Sequence, residues 1–364
     1  MNKEMRKIWT KSYMVSHGKE RMDLYQQGWE LADQLNDYAQ QLRFRMEYIK
    51  ESAFYDDAMQ MYVVFPVMLK KHDEYVKEHG TDPATYDILW KYKWIIENAR
   101  FFYQITQVQF EKFSEDFKRR CEENGYSLRS YYEYGFNFYE KIDREKADEY
   151  YHNFLKCKRD RLSDCHACER DQEIEYLLEI GQKEKALERA QDLFEGKLTC
   201  TEVPDNTYGR FLQYYSQEIL LGNMETNEEI VHYQEKLKNA IRNKNICLQY
   251  IGDMLLSYSL SNKAKALNWF KYYCEYSDSI KNPQYVLSFA VGAMHFFGDM
   301  LDKKIYRMKL HSNYSQYRED GNYSPKELFE YYKGIATDIA SKLDKRNGTN
   351  YFMQEVERME RRYQ

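Results

Sequence analysis

The amino-acid sequence predicts an all-α protein made of tandem antiparallel helix pairs stacked into an α-solenoid, and three observations predict this class. Apolar residues recur at intervals of three and four along most of the chain, without the alternation typical of strands. Only 15 Gly and 5 Pro occur in 364 residues, which leaves few of the turn residues that sheet-rich folds need. An apolar fraction of 43% is enough for a core, so the helices should be packed rather than disordered.

The first third of the chain, residues 1–125, is predicted to be an N-terminal helical module that lacks a repeat register. Residues 126–364 are predicted to be a helical-repeat array, best supported over 127–280, with weaker pairs at 284–310 and 325–362. Two segments carry the chemistry of helix starts. Thr81 and Asp82 stand just before Pro83, and Ser324 stands before Pro325 with Glu327 three residues further on, as in a capping box. The polar stretch 302–322 is expected to be an exposed excursion.

The best evidence for repetition is a pattern of large and small residues that begins after the third predicted break. Gly135 and Ala147, 12 residues apart, can let two antiparallel helices approach closely. Further alanines, Ala186 and Ala266, follow at 39 and then 80 residues, which indicates a unit of about 40 residues. The pattern resembles that of tetratricopeptide repeats, with large, large, small, large on the first helix and small, aromatic on the second: Tyr131, Tyr134, Gly135, Phe138, Ala147 and Tyr151.

The resemblance implies a concave face formed by the first helix of each pair, a surface that commonly binds peptides or partner domains. The chain contains 36 Tyr, whose rings suit half-buried helix surfaces. The candidate partner-binding residues on this face are Tyr131, Tyr134, Phe138, Tyr214 and Tyr250.

The most specific chemical signal is a C-x-x-C pair, Cys165 and Cys168, followed by Cys200. Helices predicted at about 169–180 and 183–196 form a hairpin between them, and a hairpin returns its end to its start. The three thiols should therefore converge. Zinc prefers four tetrahedral thiolate or imidazole ligands, and a two-residue spacing lets one turn supply two of them, so we predict a structural zinc ion here. A thioredoxin-like redox pair is the alternative, but it needs a strand-to-helix setting that this sequence lacks.

The fourth zinc ligand is not uniquely indicated by the sequence. Cys157 is the first candidate because it lies near the end of the preceding helix, and His166 is the second. Asp164 and Asp205 are nearer in sequence than Cys157 but are weaker ligands for zinc.

The segment around the three cysteines also resembles a signature of uncharacterised bacterial tetratricopeptide-like proteins. The matching residues are Cys165 and Cys168, then Leu198 to Pro204, which reads L-T-C-T-E-V-P. The resemblance implies a helical-repeat fold and no assigned activity. This chain has Asp205 where the pattern leads us to expect His, which leaves the fourth ligand open.

The primary functional hypothesis is a non-enzymatic, protein- or peptide-binding scaffold with a structural zinc ion. A net charge of −5 argues against nucleic acid and anionic membranes as partners. With no apolar run long enough for a membrane span and no secretion signal, we expect a cytoplasmic protein. One alternative is a peptide-sensing signalling regulator that resembles bacterial tetratricopeptide receptors. Another is a metal-dependent enzyme centred on the cysteine cluster.

Overall fold

The fold is all-α, as the sequence predicts. The computed structural model describes residues 1–55 and 57–363. Over these residues 73% of the chain is helical, in 17 α-helices and four short 3-10 or π-helical segments, and no strand is present. Within the described part of the chain, the one β-type pairing is an isolated antiparallel bridge between Ile305 and Tyr323. None of the described helices is both long enough and apolar enough to cross a membrane.

The chain forms two compact units, residues 1–138 with 150–163 and residues 139–149 with 164–364. The division passes through two helices, α7 and α8, which therefore contribute to both units. The predicted boundary between residues 125 and 126 stays a prediction. The first eight helices are α1 (Lys3–Ser12), α2 (Lys19–Gln34), α3 (Tyr38–Tyr55), α4 (Met61–His79), α5 (Thr85–Asn98), α6 (Gln107–Glu123), α7 (Arg129–Tyr139) and α8 (Arg144–Lys156).

The remaining helices all belong to the second unit. They are α9 (His166–Glu179), α10 (Lys183–Phe194), α11 (Asp205–Leu220), α12 (Glu228–Asn239), α13 (Ile251–Ser261), α14 (Lys263–Ser279), α15 (Pro283–Gly298), α16 (Pro325–Asn347) and α17 (Tyr351–Arg362).

Helix starts follow local side-chain chemistry. The Ser324 hydroxyl accepts a hydrogen bond from Glu327 N, and α16 begins at Pro325, as predicted. The start predicted at residues 81–83 is displaced. The Asp82 carboxylate accepts from Ala84 N at 2.8 Å and forms a turn, so α5 begins only at Thr85.

Consecutive helices of the second unit pack as pairs, α9 with α10, α11 with α12 and α13 with α14. The first helix of each pair also packs against the first helix of the next, in the order α9, α11, α13 and α15. Ala186 and Ala266, the small residues predicted on second helices, are fully buried. This order of contacts is the one that tandem helix pairs require. A tetratricopeptide-like solenoid stays a prediction.

Glycines permit the closest helix approaches. A Cβ on Gly252 of α13 would lie 2.3 Å from Phe289 N, and one on Gly292 of α15 would lie 2.8 Å from Gly252 O. The two backbones therefore touch where these helices cross. In the first unit, Gly135 on α7 faces the Tyr150 ring, which a Cβ would meet at 1.8 Å. The sequence pattern marked Gly135 as a point of close approach, and the structure confirms it.

The last helix, α17, folds back over earlier helices of the second unit. Its apolar residues Phe352, Val356 and Met359 are buried, and it packs on α15 and α16. On another side, Tyr351 Oη donates to Glu179 Oε2 of α9 at 3.2 Å. Glu355 Oε1 accepts from Gln217 Nε2 of α11 at 2.7 Å. This helix thus connects the unit's first hairpin to its last.

The stretch predicted as an excursion, residues 302–322, lies between α15 and α16 and is not helical. Tyr306 is 67% exposed and Tyr317 is 42% exposed, in keeping with that prediction. Tyr314 is buried, however, and its hydroxyl hydrogen-bonds Tyr332 of α16 at 2.8 Å. The segment is therefore anchored to the helices by one of its own rings.

Candidate metal centre

The thiol cluster lies at the open end of the α9–α10 hairpin. Cys165 is the N-cap of α9, with extended backbone angles, and its Sγ accepts a hydrogen bond from Cys168 N at 3.3 Å. The chain leaves α10 at Phe194 and returns to this end at Cys200, whose N–H donates to Val203 O at 3.0 Å. The helix start and the turn after α10 thus bring together three thiols from distant positions, as the hairpin topology predicts.

The three thiols are close enough to share one ion. The Sγ atoms of Cys165, Cys168 and Cys200 all lie within 4.8 Å of one another, and the thiols are free. At a zinc–sulfur distance of about 2.3 Å, tetrahedral thiolates lie about 3.8 Å apart. Movements of about 1 Å or less would therefore bring the cluster to that geometry, so the thiols fit a metal ion that prefers sulfur.

The cluster stabilises one thiolate and opposes a second. Partial burial acts to raise the pKa of Cys165, but hydrogen bonds from Cys168 N–H and from the Cys168 and Cys200 thiols outweigh it, so the pKa is lowered. Burial raises the pKa of Cys168, and the proximity of Cys165 and Cys200 raises it further. A bound cation would relieve this repulsion, because it compensates the negative charge that accumulates as the thiols ionise.

The candidates for the fourth ligand are not part of this cluster. Among residues 1–55 and 57–363, the group of His, Cys, Asp and Glu side chains that meets at this point contains only the three thiols. His166 is exposed. Asp205 is buried and accepts a hydrogen bond from Lys244 Nζ, so its carboxylate serves an ion pair between α11 and the segment after α12. Asp164 is not part of the cluster either.

Cys157, the first-ranked fourth ligand, belongs to the first unit. Its thiol lies beside Ser127 and Arg129, and burial raises its pKa against the lowering effect of these two groups. The Arg129 guanidinium also donates to Cys157 O at 2.8 Å. Coordination by Cys157 stays a prediction that these contacts do not support.

The candidate partner-binding residues are mostly core residues. Tyr131, Tyr134, Phe138 and Tyr250 are each at most 5% exposed, so their rings fill the interior and offer a partner almost no surface. Their contact with a partner stays a prediction that this burial does not support. The cause of the burial is that large rings fill the space beside glycines, as Tyr250 does against Gly209. Tyr214 is the one member of the set that is only half-buried.

Sequence reasoning missed a buried ion-pair network on the same helix as the C-x-x-C pair. Arg210 of α11 donates to Asp171 at 3.1 Å and to Glu175 at 2.6 Å, both on α9. Asp171 also accepts from Thr207 at 2.7 Å. Two acids four residues apart share one helix face, and that spacing was the available signal. The network fixes α9 against α11 just below the cysteine cluster.

Comparisons with protein-family models, curated proteins and solved structures find no match for this chain. The function is therefore argued from the site itself.

Proposed function

We propose that the chain is a non-enzymatic helical scaffold that binds a protein or peptide partner and carries a structural zinc ion at Cys165, Cys168 and Cys200. The observation that carries the proposal is the convergence of three free thiols within 4.8 Å at one end of one hairpin. Isolated cysteines in helical proteins are small buried residues, whereas two of these three are exposed. Exposed thiols gathered at a helix start are better explained by metal binding than by packing.

Zinc suits this site better than the hard divalent cations. Thiolate sulfur is a soft ligand and selects zinc, copper(I) or iron–sulfur centres, whereas magnesium and calcium prefer oxygen. Zinc would be held by the three sulfur atoms and would supply a cross-link between the start of α9 and the turn after α10. Its binding free energy would add to the stability of this hairpin, because the unfolded chain does not hold the three thiols together.

The scaffold part of the proposal is supported by the packing order of the second unit. The first helices α9, α11, α13 and α15 contact one another in sequence, as the first helices of tandem pairs do in repeat proteins. Repeat proteins of this kind bind peptides and partner domains.

Metal content tests the zinc proposal directly. Full-length wild type and Cys168→Ala are purified side by side, and their zinc is measured by mass spectrometry. We expect about one zinc per chain in wild type, as a single tetrahedral site requires, and almost none in the variant. Cys274→Ala is the matched control because Cys274 is buried on α14, away from the cluster, and it should keep its zinc. Equal, near-zero zinc in wild type and Cys168→Ala would refute the proposal.

Peptide binding tests the scaffold proposal. The purified chain is applied to a peptide array, and a peptide that binds is then examined by hydrogen exchange. Slower exchange on helices of the second unit is expected if the tandem helix pairs form the binding surface. Protection confined to the first unit would contradict this assignment.

A further inference from the structure

The candidate metal centre has fewer ligands than a closed zinc site. The described residues bring three sulfur donors together, and tetrahedral zinc takes four ligands. A position that the chain leaves open must be filled by water or by a donor from elsewhere. The nature of that donor follows from the three sulfur ligands, provided that the proposed metal binding holds.

We infer that the fourth position of the metal is taken by a thiolate that does not come from this chain, so that the site is a docking point for an external thiol. The other candidates within the chain are not part of the cluster, and His166, although it lies next to Cys165 in sequence, is exposed and outside it. Asp205 is paired with Lys244, and the Glu202 carboxylate accepts from Asn206 Nδ2 at 3.2 Å. Cys157 lies beside Ser127 and Arg129 in the first unit.

An external donor can reach this position. Cys165 and Cys200 are both exposed, as are the neighbouring His166, Thr199 and Thr201. The cluster lies at a helix start and in the turn after α10, and only Cys168 is partly covered. A side chain or a small molecule therefore meets little steric obstruction.

A thiolate fits the position better than water or a carboxylate. Three sulfur donors select a soft ion, and such an ion favours a fourth soft donor over oxygen. Four thiolates are also a common ligand set of closed zinc sites. The negative charge of such a centre would be partly offset by the N-terminus of α9, where Cys168 N already donates to Cys165 Sγ.

Two sources share this chemistry, a low-molecular-weight thiol and a cysteine of a second copy of the chain. Each gives the same four-sulfur centre, but they differ in mass and in concentration dependence. A small thiol leaves the protein monomeric, whereas a second copy makes a dimer that depends on the metal and on protein concentration.

Cobalt(II) substitution tests the inference. Full-length protein is prepared under anaerobic, thiol-free conditions and loaded with one equivalent of Co²⁺, and the sulfur-to-cobalt charge-transfer absorption is recorded. Dilute protein should show a three-thiolate intensity. Adding glutathione should raise the intensity about 1.3-fold, because four thiolates replace three. If the intensity rises with protein concentration alone and sedimentation shows a metal-dependent dimer, the source is a second copy.

The outcomes separate the inference from the metal proposal. No cobalt absorption with any thiol would refute metal binding itself. A spectrum that already has full four-thiolate intensity in dilute protein, and that Cys157→Ser reduces, would overturn the inference and assign the fourth ligand to Cys157. A three-thiolate spectrum whose intensity changes neither with added glutathione nor with protein concentration would also overturn the inference. His166→Ala tests the remaining donor beside the cluster and should leave the dilute spectrum and the response to glutathione unchanged, whereas a changed dilute spectrum would overturn the inference and assign the fourth ligand to His166.

Discussion

The open end of the α9–α10 hairpin and the crossing of α13 with α15 are held together in different ways. At the crossing, backbones touch through Gly252 and Gly292, and nearly every residue of both helices is buried. At the hairpin end, Cys165 and Cys200 are exposed and little packing surrounds them. Close backbone packing dominates the crossing, whereas the hairpin end gathers thiols where packing is thin. Cysteine therefore occupies two settings in one chain, as a candidate metal ligand at the hairpin end and as a core residue such as Cys274 on α14.

The largest expected effect is removal of the metal. At a free zinc concentration a thousand times the dissociation constant, binding would stabilise the folded state by about 4 kcal/mol. A chelator should therefore lower the free energy of unfolding of wild type by about that amount. It should leave the free energy of unfolding of Cys168→Ser unchanged, because that variant does not bind the metal. Cys274→Ser should be less stable from the outset but should respond to the chelator as wild type does. Denaturant unfolding with and without chelator measures this, and equal chelator effects in wild type and Cys168→Ser would contradict it.

The next effect concerns backbone contact at the crossing. In Gly252→Ala the new Cβ would meet Phe289 N at 2.3 Å and Ser288 C at 2.4 Å, and backbone atoms cannot move aside as a flexible side chain can. We expect a loss of about 3 kcal/mol, at the upper end of overpacking costs. Gly334→Ala is the control, because Gly334 lies in α16 with nothing within 4 Å of its Cβ position. That change should stabilise by about 0.5–1 kcal/mol. Thermal unfolding of both variants measures their changes in stability. Similar changes in Gly252→Ala and Gly334→Ala would contradict close backbone contact at the crossing.

The smallest effect is a pH dependence at the same crossing. Burial raises the pKa of Asp253 from its ordinary 3.8 to about 7, with Ser288 lowering it and Glu355 raising it further. Because the folded-state pKa is raised, the contribution of Asp253 to stability is complete below pH 4 and is lost as pH rises through about 7. Asp253→Asn should therefore be more stable than wild type at pH 8, and the gain should turn into a loss near pH 4, where wild-type Asp253 is protonated.

The stability that Asp253→Asn gains at pH 8 is limited by the cost of burying the new Asn side-chain amide. The full shift is worth about 4 kcal/mol at 1.4 kcal/mol per unit, but a buried amide also costs desolvation, so we expect about 2 kcal/mol. The comparison must be made between variant and wild type at each pH. Burial lowers the pKa of His295 on α15 to about 4, so the contribution of His295 makes stability rise with pH between about 4 and 6.5. This rise opposes the loss from Asp253, so the pH dependence of wild type by itself does not reveal the effect of Asp253. An Asp253→Asn gain that is the same at pH 4 and pH 8 would contradict the assignment.

Much of the fold and part of the site could be predicted from the sequence. Helical periodicity indicated the class, and the cap at Ser324 was visible because capping is local. The convergence of Cys200 with Cys165 and Cys168 was predictable because a hairpin returns the chain to its start. The close approach at Gly135 was likewise visible, since a small residue among large ones marks contact between helices.

The remaining features depend on tertiary packing, which periodicity does not encode. Tyr134 and Tyr214 look alike in sequence, yet Tyr134 is buried and Tyr214 is half-buried. Asp205 lies near the cysteines in sequence, but Lys244 reaches its carboxylate from 39 residues away. Long-range ion pairs of this kind decide which nearby donors are available to a metal. For this reason the fourth ligand could not be read from spacing alone.

The return of α17 to the start of the second unit changes how that unit should unfold. Tandem helix pairs are normally coupled only to their neighbours, so an array can lose its end pairs one at a time. Here Tyr351 contacts Glu179 of α9 and Glu355 contacts Gln217 of α11, while the same helix packs on α15 and α16. The last helix therefore closes the series of neighbours into a loop, and neither end is free to fray alone. The second unit should unfold in one cooperative transition, and it must fold through contacts between residues more than 130 positions apart.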